Sequence, residues 1–191
     1  MKEGAVMQEW NKVFFVSSNK HKYLEAKQIL KKFGIDLAFF QANLMEIQSD
    51  SLSEIAKQKS LDAFSKCKKP LIIEDDALVI PSIAGFPGPY SSYVFGTIGN
   101  KGVLSLVKGK RTAKFHANIT YCDKKRKPVI FEGVIHGKIA NKVSGKGWGY
   151  DPIFIPKGKT KTFAQISDKN TISHRYLALA KFAKWFTHMQ K

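Results

Sequence analysis

Three short, continuous apolar runs, separated by segments of helical spacing, constrain this 191-residue chain most strongly. Val13-Phe14-Phe15-Val16 is apolar at every position, as expected of a strand buried on both faces. Tyr23, Ala26, Ile29, Leu30 and Phe33 then recur at helical spacing, and Gly34 closes that helix. Ile35 to Phe40 reads as a second strand. Ser51-Leu52-Ser53-Glu54 has the spacing of a capping box, and Ala56, Ser60, Ala63 and Cys67 mark one face of the helix behind it. Leu71-Ile72-Ile73 is a third buried strand, ending in an acid cluster. This β-α-β-α-β order predicts a mixed α/β sheet.

The second half departs from that rhythm. Pro81 to Tyr90 holds three prolines and two glycines and reads as a shaped loop. Asn100 to Val107 reads as a short helix. Lys114 to Tyr121 and Val129 to Ile139 both alternate, and the charged turn Asp123 to Lys127 between them predicts a long antiparallel hairpin. Ile153-Phe154-Ile155 is a further strand. Ile172 to Met189 carries Ile172, Tyr176, Ala180, Ala183 and Phe186 on one stripe, which predicts a terminal amphipathic helix.

Length fits one domain, residues 1–191, with 1–11 as a short extension lacking the apolar core of a secretory signal. No apolar run approaches the roughly 20 residues that cross a bilayer. Cys67 and Cys122 are too few and too far apart for a staple or zinc site, so each is expected as a buried reduced thiol; a cytoplasmic location follows. The net charge of +17 favours anionic partners. Polynucleotide binding by a non-catalytic protein is one reading and a polyphosphate substrate another. The lysines are dispersed along element ends and turns, so a solvated surface accounts for them before a nucleic-acid groove does.

Four patches carry chemistry. Ser17-Ser18-Asn19-Lys20-His21-Lys22 leaves a strand and opens a helix, where free N–H groups and the helix dipole suit phosphate. Cations in a first helical turn oppose the dipole, which points to a bound anion. Glu74-Asp75-Asp76 sets three carboxylates side by side, and a divalent cation or a raised pKa relieves their repulsion. Hard oxygen ligands point to Mg2+, and one acid could instead take a proton from water. Trp148-Gly149-Tyr150-Asp151 offers rings to stack on a base and an acid to accept from it; inward-packed aromatics of a tight turn are the plain alternative. His174-Arg175 at a helix start again fits an anion or a carbonyl oxygen. Taken alone, Glu46 and Lys59 read as surface.

Together these patches resemble the inosine/xanthosine triphosphate pyrophosphatase family, over Val13 to about Lys184. The opening patch is similar to its phosphate loop. Glu74 to Leu78, running into Gly85-Phe86-Pro87-Gly88-Pro89-Tyr90-Ser91, is similar to its acidic strand end and Pro-Gly loop. Gly147 to Pro152, Lys161-Thr162-Phe163-Ala164, Lys169-Asn170 and Ser173-His174-Arg175 form the closest match. The resemblance implies an elongated, two-lobed α/β domain with a twisted mixed sheet, flanking helices and a central cleft. It implies hydrolysis of ITP, dITP and XTP to the monophosphate and pyrophosphate by a cytoplasmic homodimer. A pyrophosphatase of the same fold acting on another modified nucleotide is the alternative. Asp75 falls on the proton acceptor and Mg2+ ligand, and Glu46 on a further metal-associated acid. Ser17, Asn19, Lys22 and Lys59 fall on triphosphate contacts, with Ser18, Lys20, His21 and Asp76 beside them. Trp148, Gly149, Tyr150, Asp151, Lys169, His174 and Arg175 fall on base and nucleotide contacts. Three positions depart from the pattern. Ser18 replaces a glycine, which would strain the loop if φ were positive there. Asp76-Ala77 replaces Ser or Thr followed by Gly or Cys. Trp148 replaces the commoner Phe.

Overall fold

The computed structural model describes residues 12–189; the expected N-terminal extension, 1–11, lies outside the described residues. The elements run β1 (Lys12–Ser17), α1 (Lys20–Lys31), β2 (Asp36–Gln41), α2 (Leu52–Cys67), β3 (Leu71–Val79), β4 (Pro87–Gly88), α3 (Ser91–Thr97), α4 (Gly99–Leu106), β5 (Thr112–Cys122), β6 (Val129–Ile139), β7 (Phe154–Pro156) and α5 (His174–Met189). Seven strands form a sheet in the order β2-β1-β3-β5-β6-β7, with β4 paired to β3. β1 lies parallel to both β2 and β3, whereas β4 on β3 and β7 on β6 are antiparallel, so the sheet is mixed as expected.

The chain forms two compact units. The first is the described part of Met1–Asp75, Asn118–Gly133 and Arg175–Lys191; the second is Asp76–Ala117 with Val134–His174. In the first unit α1 buries Tyr23, Ala26, Ile29 and Leu30, and α2 buries Ile55, Ala56, Ser60, Ala63 and Cys67. Cys122 shares an apolar cluster with Val16, Ala63, Cys67, Leu71 and Ile73, and both cysteines are free thiols. Tyr121 packs against Phe182, Trp185 and Phe186 of α5. Full burial of such rings contributes about 1.5–3 kcal/mol each. In the second unit Leu78, Phe115, Tyr150, Phe154 and Phe163 belong to one core.

Three local expectations change and one helix is added. β3 runs on to Val79, so the acid cluster lies within a strand rather than at its end. The residues after Pro81–Tyr90 form the helix α3, whose first residue closes the loop: Ser91 Oγ accepts from the Leu78 N–H and donates to Gly88 O. The capping box is half made; Ser51 accepts from the Glu54 N–H, but the Glu54 carboxylate takes the Ser49 hydroxyl. The buried stripe of α5 is Arg175, Ala178, Leu179, Phe182, Ala183 and Phe186, with Tyr176 and Ala180 only half-buried. Counting that stripe from Ile172 put it out of phase, because the helix begins at His174.

Candidate active site

In the first unit, four of the chain's 15 acids meet three cations. Such concentration of acid in a chain of net charge +17 requires pairing. Alternation along β3 sorts the acids: neighbouring residues point to opposite faces. Glu74 goes to Arg175, which donates from Nε at 2.8 Å to each carboxylate oxygen and from a terminal nitrogen at 2.5 Å. A second arginine nitrogen pairs with Glu25 of α1. The Arg175 side chain is 1% exposed, so its charge is committed to a buried fork.

Asp75 points to the other partner set. Lys59 Nζ donates to Asp75 Oδ1 at 2.7 Å and also pairs with Glu46. The Lys59 and Asp75 side chains are 13% and 8% exposed, whereas that of Glu46 is 60% exposed. Burial pushes the Asp75 carboxyl above the ordinary carboxylate range, and the Lys59 charge pulls it partly back. Burial works against the charge on Lys59, yet Asp75 and Glu46 outweigh it and hold the ammonium above its usual range. Asp75 Oδ2 is buried and has no hydrogen-bond partner among the described residues. Glu46 and Asp75 are thus two carboxylates already sharing one cation, with an anionic oxygen to spare. That donor set fits Mg2+, which takes one or two carboxylates together with substrate phosphates. Among the described residues no cluster of three or more metal-ligating side chains occurs.

The β1–α1 loop is closed on itself. Asn19 caps α1, its Oδ1 accepting from the His21 and Lys22 N–H groups at 3.0 and 3.2 Å, while Ser17 Oγ accepts from the Asn19 N–H. The amides of Asn19, His21 and Lys22 are therefore already held by side chains of the loop itself. Ser18, Lys20 and His21 are exposed, and Lys22 Nζ lies 4.0 Å from Glu74 Oε1. Ser18 has no positive φ, so the replacement of glycine there costs no strain.

The second unit holds the aromatic patch. Lys169 Nζ is 2.6 Å from Asp151 Oδ2 and 5.6 Å from the centre of the half-buried Trp148 ring. Gly149 takes φ +60°, a left-handed turn that a side chain would strain, and its carbonyl accepts from Asn100 Nδ2 at 3.0 Å. Tyr150 is a core group: its ring sits edge-on to Phe95 and its hydroxyl donates to Ser91 O. The ring-bearing surface here is Trp148, and the plain alternative of an inward aromatic describes Tyr150. His174 stacks on Phe115, ring centres 4.5 Å apart and planes nearly parallel, with Nε2 3.8 Å from Asp76 Oδ1. Sequence reading left out Glu25 and Phe115. The second lay in a plain β alternation; the first was an ordinary helical glutamate until Arg175, 150 residues away, met it.

This is an α/β protein on a mixed sheet, with two buried carboxylates, Glu74 and Asp75, side by side on β3. The family model of the Ham1 family matches residues 13–185, and the chain belongs to that family. It is 47% identical over 180 residues to the dITP/XTP pyrophosphatase of Methanopyrus kandleri, covering 92% of this chain and 96% of that one. The dITP/XTP pyrophosphatase of Saccharolobus solfataricus is 40% identical over 181 residues, covering 91% and 93%. Among solved structures, a HAM1 protein from Coxiella burnetii superimposes with a TM-score of 0.78 at 27% identity, covering 92% of this chain and 99% of that one.

Proposed function

We propose that this protein hydrolyses non-standard purine nucleoside triphosphates, ITP, dITP and XTP, to the monophosphate and pyrophosphate. The observation that carries the reading is Asp75: a buried carboxylate held by a lysine on one oxygen, free of hydrogen bonds on the other, in a chain closely related to dITP/XTP pyrophosphatases. Its upward-shifted pKa suits a group that takes a proton from an attacking water. Lys59 and Lys22 offset the charge that gathers on the departing pyrophosphate. Asn19 holds the first turn of α1, with Lys20 and His21 exposed and Lys22 turned toward Glu74. Mg2+, when bound through Asp75 and Glu46, supplies Lewis-acid polarisation of the phosphate oxygens.

Base recognition falls to the second unit. Trp148 offers a flat surface, with Lys169 and Asp151 as a fixed donor–acceptor pair beside it. His174, set by Phe115 and Asp76, is the donor for a 6-oxo group. Adenine presents an amine at that position, and a site built to donate rejects it by leaving its own groups unpaired.

A homodimer fits the exposed apolar side chains of the second unit. Tyr93 is 73% exposed, and Phe86, Tyr90, Phe95 and Ile98 are exposed with it. No described helix is long and apolar enough to cross a membrane; the enzyme is assigned to the cytoplasm with the nucleotide pool it acts on. The deciding experiment is pyrophosphate release from purified protein over a panel of ITP, dITP, XTP, GTP, ATP and modified pyrimidine triphosphates, with and without Mg2+. Strong preference for the 6-oxo purines ITP and XTP is expected; equal turnover of ATP refutes the reading.

A further inference from the structure

Asn118 and Thr120 on β5 are fully buried, and neither side chain has a hydrogen-bond partner among the described residues. Such groups are expensive to bury unpaired, and an apolar residue of the same shape would serve the sheet better. Their neighbours locate them. β5 lies next to β3 in the sheet. Cys122, at one end of β5, shares a cluster with Leu71 and Ile73 at the start of β3. Ala113 and Phe115, at the other end, share a core with Leu78 near the end of β3. The two strands therefore run antiparallel, which sets the middle of β5, where Asn118 lies, beside the middle of β3, where Asp75 lies. Alternation settles the face: Asn118 and Thr120 lie on the side of Cys122, and Asp75 on the side of Leu71 and Ile73. That is one face, and on it Asp75 Oδ2 is also without a partner.

We propose that Asn118 is a positioning residue for the hydrolysis, holding one water against Asp75 Oδ2 with Thr120 as the second support. A buried water needs two to four polar partners, and Asp75 Oδ2, the Asn118 amide and Thr120 Oγ1 supply them. The water donates to the carboxylate and to Asn118 Oδ1 and accepts from the Thr120 hydroxyl. It is not consumed; it keeps the carboxylate turned so that Oδ1 stays on Lys59, and the second lone pair of Oδ2 is left for the proton of the attacking water. This inference rests on the reading of Asp75 as the proton acceptor.

The test is Asn118→Leu, near-isosteric and apolar. Its kcat on dITP is expected to fall about 10- to 100-fold, as for groups that orient a reacting ligand through a neighbour. KM should stay within about two-fold, since uniform binding is untouched. The melting temperature should change little, because the water keeps Asp75 Oδ2 and Thr120 Oγ1 as partners and the apolar side chain fills the same space. Binding of dITP without divalent cation, followed by calorimetry, should be unchanged. Thr120→Ser should keep activity that Thr120→Val loses. Full kcat in Asn118→Leu overturns the proposal, as does a lower melting temperature with kcat intact. If Asn118→Leu does not fold, Asn118→Ala carries the same test. Asp75→Asn separates the two claims: turnover surviving in that variant removes the proton-acceptor reading itself, whereas an inactive Asp75→Asn beside a fully active Asn118→Leu removes only the role of Asn118.

Discussion

The two clusters solve opposite physical problems. In the first unit charges are buried and must be neutralised by named partners: Lys59 by Asp75 and Glu46, Arg175 by Glu74 and Glu25. In the second, the equally buried Asp151–Lys169 pair stands beside a half-exposed indole, and the turn at Gly149 sets the backbone next to it. Buried pairs fix geometry at a desolvation cost, so loss of one member damages chemistry or folding. A stacking surface adjusts to its ligand, so loss of it weakens binding and leaves the chemical step alone.

That contrast can be broken by measurement, beginning with the largest effect. Asp75→Asn is expected to lower kcat for dITP by about 10³-fold, within the range of a lost general base, while circular dichroism reports an intact fold. Arg175→Met removes the partner of a buried carboxylate; urea unfolding should register a loss of about 3–5 kcal/mol. Weaker still, Trp148→Ala is expected to raise KM by roughly 5- to 100-fold with kcat near the parent, the value of one base stacked on an aromatic ring. Trp148→Phe should recover most of it. A fall in kcat with unchanged KM in Trp148→Ala would erase the division of labour between the clusters.

The smallest expected effect lies in the β5–β6 turn. Burial raises the Asp123 carboxyl, but the Lys125 and Arg126 N–H groups, the Tyr121 hydroxyl and the Arg126 guanidinium outweigh it and hold it below the ordinary range. A depressed folded pKa stabilises above the unfolded value and loses that contribution as pH falls through the folded one. Asp123→Asn should therefore cost about 1 kcal/mol at pH 7, a difference that shrinks below about pH 4 in urea titrations.

What the sequence disclosed follows interaction range. β1, α1, α2 and the β5–β6 hairpin were legible because their signals are local: apolar runs, helical spacing, a capping serine, alternation. β3 was cut short at Ile73 since acids argue against a buried strand. Glu74 stays in it because Arg175, 101 residues on, neutralises it, with Lys22 alongside. Ser91–Thr97 carries no helical stripe, and its helix is fixed by the Ser91 contacts to Leu78 and Gly88. Tyr150 looked like a stacking residue by position; its burial depends on Phe95 and Ser91, which no spacing rule connects to it.

Three adjacent acids on one strand also make the enzyme brittle in a particular way. Because side chains along β3 alternate, removal of one residue ahead of Glu74 would rotate every later acid to the opposite side of the sheet. Arg175 would then meet Asp75, and Lys59 would face Asp76 in its place. A length change in this strand, unlike a point substitution, exchanges proton chemistry for scaffolding in one stroke, so natural insertions and deletions in relatives should avoid the stretch from Leu71 to Asp75.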